Sequence, residues 1–228
     1  IAYNLRLLGG QGRPLGTVGE DFEPYRRWLN QCGIDQQDLL TVPGTYTAQA
    51  YITTDLDDNQ ITAFHPGAMN HAHDNPVRHA ADIGLGVVAP NGRQGMLDHA
   101  RQFAEAGIPF LFDPGQGLPM FNGGDLMAFI DQATWVAVNE YEAALLEERT
   151  AHSLERLAGR VAALIVTRGA QGSLIHTNGA VLEIPAARPD AVRDPTGCGD
   201  AYRAGLIYGL QRGLDWARTG RVASLIGA

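Results

Sequence analysis

No lysine occurs in the 228 residues: all 17 side chains counted as lysine or arginine are arginines. A P-loop of the form Gly-x-x-x-x-Gly-Lys-Ser/Thr is therefore excluded. Pyridoxal-phosphate and other Schiff-base enzymes, and kinases that depend on a strand lysine, are excluded with it or strongly disfavoured. Any phosphate chemistry must rest on backbone N–H groups, arginine and metal. Cysteine is nearly missing too. Cys32 and Cys198 cannot form a disulfide framework, and they fit a reducing, cytoplasmic setting. Positive charge is in deficit, with a net charge of −8 and scattered arginines, which argues against a nucleic-acid partner. Apolar runs are short. None approaches the roughly 18 residues of a membrane span, and no signal-peptide pattern is visible, so no membrane partner is expected.

What the chain does contain is an alternation of strand-like and helix-like segments. Residues 83–89, 109–112, 135–138 and 163–166 read as buried strands. Residues 95–106, 140–148, 154–161 and 201–210 read as helices, the first stopped by Gly107. This βαβα order predicts an α/β fold with a mostly parallel central sheet flanked by helices, and ligands beyond the carboxyl ends of the strands. Two hairpins break the rhythm. One pairs 46–54 with 61–64 through an acidic turn, and the other pairs 173–176 with 181–184. No linker or repeat appears, so a single domain over 1–228 is expected, with part of a small β-rich lid in its N-terminal third. Residues 1–10 read as the middle of a helix, and 224–228 lie inside another helical pattern. A fragment of a longer protein is expected, with some functional residues outside it.

Three short patterns carry chemistry. The first is Asp194-Pro195-Thr196-Gly197-Cys198-Gly199-Asp200, ahead of the small-residue helix. A glycine turn opening a helix gathers free N–H groups and the positive helix end at one point, which suits a phosphate or a developing oxyanion. Asp200 at its lip can take a proton from an attacking hydroxyl. The plain alternative is a glycine turn with Asp200 as helix cap. The second is Asn139-Glu140-Tyr141-Glu142 after the strand 135–138, whose spacing puts Asn139 and Glu142 on one side of a first helical turn. That pair suits a hydrated Mg²⁺, or a capping box. The third is Thr167-Arg168-Gly169-Ala170-Gln171-Gly172 after the strand 163–166. It offers a hydroxyl, a charge and two glycines to a nucleotide's phosphates, or it is a turn between strands.

The three in this order, each after a strand, resemble the ribokinase-like (PfkB) carbohydrate and nucleoside kinases along nearly the whole chain. The family's closing signature is Asp-Thr-x-Gly-Ala-Gly-Asp followed by Ala-Phe. Here it stands as Asp194 to Asp200 with Ala201-Tyr202, departing at Pro195, Cys198 and Tyr202. The resemblance implies the three-layer ribokinase-like fold and ATP-dependent phosphorylation of a small-molecule hydroxyl. It makes Asp200 the base, and Gly197, Cys198 and Gly199 the anion hole. Thr167, Gly169 and Gly172 become nucleotide-binding, with Asn139 and Glu142 governing Mg²⁺ and phosphate. It places a monovalent cation such as K⁺ near Asp194 and Thr196. Within the family the wording is similar to bacterial adenosine kinase-like members, which implies the 5′-hydroxyl of adenosine or a related nucleoside as acceptor.

A sugar kinase of the ribokinase or fructokinase type is the alternative, and a non-catalytic nucleoside- or nucleotide-binding protein a third. Tyr51 and Phe64 are candidates for an aromatic slot around a base. The family's sugar-binding aspartate and Gly-Gly-x-x-x-Asn segment would lie before Ile1, and some adenine contacts beyond Ala228. Relatives include monomers and dimers that pair through β-rich flaps, so a homodimer is one expected state. His65, His71, His73 and Asp74 have poor metal-site spacing. Asp55, Asp57 and Asp58 read as a solvated turn rather than a calcium loop. Trp28, Trp135 and Trp216 read as core or helix-packing residues.

Overall fold

Apolar side chains fill three short segments, up to a polar last residue in two of them, that form the middle of a mostly parallel sheet: β6 (Phe110–Phe112), β7 (Trp135–Asn139) and β8 (Ala163–Thr167). The computed structural model describes residues 1–55, 60–191 and 196–228. Among them, β5 (Gly86–Val88) lies beside β6, while β9 (Ser173–Thr177) and β10 (Ala180–Ile184) add an antiparallel hairpin to β8, giving a six-stranded order β10-β9-β8-β7-β6-β5. The alternation of side chains along each strand sorts the core into two halves. Phe110, Phe112, Val136, Val138, Leu164 and Val166 pack to one side, against Met96, Phe129 and Leu146. Those three belong to α3 (Arg93–Glu105), α4 (Gly123–Gln132) and α5 (Glu140–Thr150). Leu111, Ala137 and Ile165 face the other way, onto Tyr202, Leu206 and Ala223. These last lie on α7 (Cys198–Gln211) and α8 (Trp216–Ile226). Covered on both faces, the central strands β6, β7 and β8 have almost no polar side to show, and three layers result.

The remaining elements gather at the N-terminal side. Helix α1 (Ala2–Leu7) sets Leu5 against Ala204 and Ile207 of α7. Strands β1 (Gly16–Val18) and β2 (Leu39–Thr41) form a separate parallel pair, bracketing α2 (Glu23–Gln31). Strands β3 (Gln49–Thr54) and β4 (Gln60–His65) form the expected antiparallel hairpin. Its root is tied down by the Asp21 carboxylate, which accepts from the Thr47 N–H and hydroxyl, each at 2.7 Å, and from the Gln49 amide at 3.1 Å. Helix α6 (Leu154–Ala158) is shorter than its sequence suggests. Among the described residues no helix is long and apolar enough to cross a membrane.

The structure places several of the features singled out in the sequence. His71 and His73 sit in a 3-10 helix (Gly67–Asp74), both in contact with Asp74. Among the described residues no group of three or more His, Cys, Asp or Glu side chains forms a metal cage. Trp28 is a helix-packing residue rather than a core one: exposed, it stacks on Tyr25, 5.3 Å between ring centroids, and meets the Tyr3 ring of α1 at 5.5 Å. Tyr51 pairs with Ala63 across the hairpin, so the next residue, Phe64, points to the opposite face. Tyr51 and Phe64 therefore cannot line one slot within a single hairpin. The expected acidic turn falls mostly on residues 56–59, outside the described residues.

Candidate active site

The carboxyl ends of β6, β7 and β8 lie side by side because the three strands are parallel neighbours. Register places Asn139 opposite Thr167 and Thr167 opposite Ser173, so two of the three sequence patterns meet at one sheet end. Helix α7 brings the third. Tyr202 shares a buried 2.6 Å hydrogen bond with Ser173, and Arg203 donates to Asp113, just past β6, at 3.0 Å. These two bonds from consecutive residues hold the start of α7 against both the β6 and the β8–β9 sides of the strand ends.

Gly197 caps α7 in the left-handed region, with φ +85°, which a side chain would resist. Among the described residues no side chain caps this helix, and the Ala201 N–H already bonds the Gly197 carbonyl at 2.9 Å. The first-turn N–H groups of Cys198, Gly199 and Asp200 therefore have no partner within the helix, as an anion site requires. Asp200 is the third residue of the helix and exposed, not its cap. Cys198 is a free, half-buried thiol, and Thr196 lies in the turn before Gly197. Asp194 lies outside the described residues.

Asn139 and Glu142 form a complete capping box on α5. The Asn139 side chain accepts from Glu142 N–H at 2.8 Å, while the Glu142 carboxylate accepts from the Asn139 backbone N–H at 2.8 Å and its amide at 3.0 Å. The local alternative is thus real, and it leaves Glu142 buried with its carboxylate rigidly aimed. Burial raises its pKa, opposed by the Asn139 N–H; the Asp113 charge raises it further and Arg203 lowers it. In the third pattern, Gly172 has φ +86°, and a β-carbon there would stand 2.0 Å from the Ile184 carbonyl. Arg168, a candidate phosphate contact, is instead paired with Glu183 at 2.8 Å.

Asp113, Arg203 and Ser173 belong to none of the three sequence patterns' candidate roles, yet they tie the patterns together. Asp113 was visible only as the residue that ends a strand, and Arg203 only as the residue three past Asp200. Asp113 is almost wholly buried, and that burial raises its pKa against the opposing Arg203 guanidinium, while the Asp200 charge pushes the same way as burial. Four charged groups thus sense one another at the strand ends. A cavity of about 850 Å³ lies elsewhere, against β5 and α1, and its lining includes none of the signature residues. Convergent chemistry, not cavity size, locates the site.

The PfkB family of carbohydrate kinases matches this sequence over residues 1–228. A nucleoside kinase of Methanocaldococcus jannaschii is 34% identical over 230 residues, spanning 100% of this chain and 74% of its own. The solved structure of a Burkholderia thailandensis nucleoside kinase in complex with inosine is 52% identical, with a TM-score of 0.97, covering 100% of this chain and 76% of that one. The same enzyme in complex with ADP-inosine superposes with a TM-score of 0.94, over 99% of this chain and 71% of that one. The chain therefore belongs to the PfkB family and is a phosphotransferase that acts on a hydroxyl group.

Proposed function

We propose that the protein is an ATP-dependent nucleoside kinase that phosphorylates the primary 5′-hydroxyl of a purine nucleoside, with adenosine and inosine as its first candidates. The observation that carries this reading is the whole-chain match, at 52% identity, to a nucleoside kinase that holds inosine. ATP as donor is supported by the ADP-inosine complex of the same relative.

In this reading Asp200 accepts the proton of the attacking hydroxyl. The new bond forms from that oxygen to the γ-phosphorus, the bond to the β–γ bridging oxygen breaks, and ADP leaves. The N–H groups of Gly197, Cys198 and Gly199 face the charge that develops on the transferred group, in a fixed arrangement that needs no reorganisation. Thr167, Gly169 and Gly172 form the nucleotide-binding segment, whose turn only glycine can build at position 172. The oxygen-only donors Asn139 and Glu142 fit Mg²⁺, which takes few protein ligands and keeps its waters. Bound there, Mg²⁺ would neutralise phosphate charge. A monovalent cation such as K⁺ beside Asp194 and Thr196 belongs to the same proposal.

Asp200→Asn tests the assignment. Turnover should fall by at least about three orders of magnitude while ATP affinity, measured calorimetrically, stays within a few-fold. Unchanged turnover would remove Asp200 from the role of base.

A further inference from the structure

Arg203 is the one arginine among the described residues that the fold buries, with 5% of its surface exposed. Its Nη2 pairs with Asp113, but Nε and Nη1 are shielded from solvent and, among the described residues, have no hydrogen-bond partner. A guanidinium kept only for stability is expected to find partners for its five donors, because an uncompensated buried charge is costly. Here the cost is borne beside three carboxylates. Asp113 is in contact, Glu142 feels the charge of Arg203, and Asp200 lies one turn earlier on the same helix. No lysine exists in the chain to share the task.

We propose that Arg203 is a positioning residue for phosphoryl transfer: through Asp113 it fixes the first turn of α7, and with it Asp200, against the carboxyl end of β6, while its charge balances the carboxylates gathered there. Arg203 touches no reacting atom in this scheme. It acts on the aim of Asp200, a geometry to which rate is sensitive. A misplacement of about 1 Å costs on the order of a hundredfold. The inference rests on the kinase reading above, with Asp200 as base.

Steady-state kinetics of the wild type, Arg203→Met, Arg203→Lys and the uncharged pair Arg203→Met/Asp113→Leu, with Mg-ATP and adenosine or inosine, test it alongside melting temperatures. We expect Arg203→Met to lose about a hundredfold in kcat, with KM for ATP and nucleoside held within about threefold. Arg203→Lys should recover part of kcat. The uncharged pair should regain thermal stability, since apolar replacements often match a buried ion pair. It should not regain kcat. Arg203→Met or the uncharged pair turning over at the wild-type rate, with only the melting temperature moved, would reduce Arg203 to a structural ion pair and leave the kinase reading intact. A wild type inactive on every nucleoside would overturn both.

Discussion

At Glu142 one carboxylate closes a capping box and points a fixed pair of oxygens toward the strand ends. The two readings open in the sequence, cap and metal partner, are not exclusive: the cap supplies the rigidity that a metal partner needs. They separate in Glu142→Gln. Glutamine also completes a capping box, so the melting temperature should move by no more than about 1 kcal/mol of stability allows. Titrating free Mg²⁺ against turnover should still show half-maximal turnover moved to a free Mg²⁺ concentration at least about tenfold higher. An unchanged Mg²⁺ curve would leave Glu142 a cap alone. The individual site residues on α5, β8 and α7 were legible because each lies within a few positions of a glycine or an Asn-x-x-Glu spacing. Asp113, Arg203, Ser173 and Tyr202 were not legible as a network. Their meeting depends on α7 crossing strand ends that are 90 positions away from Arg203 at Asp113, and no local pattern encodes that.

Among the elements, β6, β7 and β8 could be read from sequence because burial on both faces leaves an unbroken apolar run. The strands β1 and β2 could not, since three residues each give no period to count. Helix α4 starts on a second capping box, Asn122 with Asp125, whose sequence signal Gly123-Gly124 masks. The α3 helix shows how one element fastens the N-terminal strands. Its buried His99 donates from Nε2 to the Asn75 carbonyl at 2.9 Å, and the Asn75 amide bonds Gly16 and Asp38 carbonyls around β1 and β2. Burial holds the His99 pKa below its ordinary 6.5. The unfolded chain therefore binds this proton first as pH falls, so the stability that neutral His99 contributes is present above about 6.5 and lost as pH drops through its folded value. Denaturation midpoints measured from pH 7.5 down to 5 should fall, and His99→Gln should flatten that part of the slope. A slope unaffected by the substitution would remove His99 as its source.

Over the whole molecule, the sheet does the organising. Four parallel strands present their carboxyl ends together, helices cover both faces, and α7 returns from the end of the chain to lay its glycine turn across them. This architecture was the most legible level, because strand and helix patterns alternate over some 120 residues, and errors of a few positions at element ends do not change the order. The acceptor was the least legible. Tyr51 and Phe64, the aromatic pair nearest to a base-binding slot on paper, point to opposite faces of their hairpin. The most direct test is therefore ADP release from Mg-ATP by the full-length protein, compared across adenosine, inosine, guanosine, cytidine, ribose and fructose at matched concentrations. We expect rapid turnover with adenosine or inosine, and turnover at least about a hundredfold slower with the free sugars. Preference for ribose or fructose would contradict the nucleoside assignment and make this chain a sugar kinase.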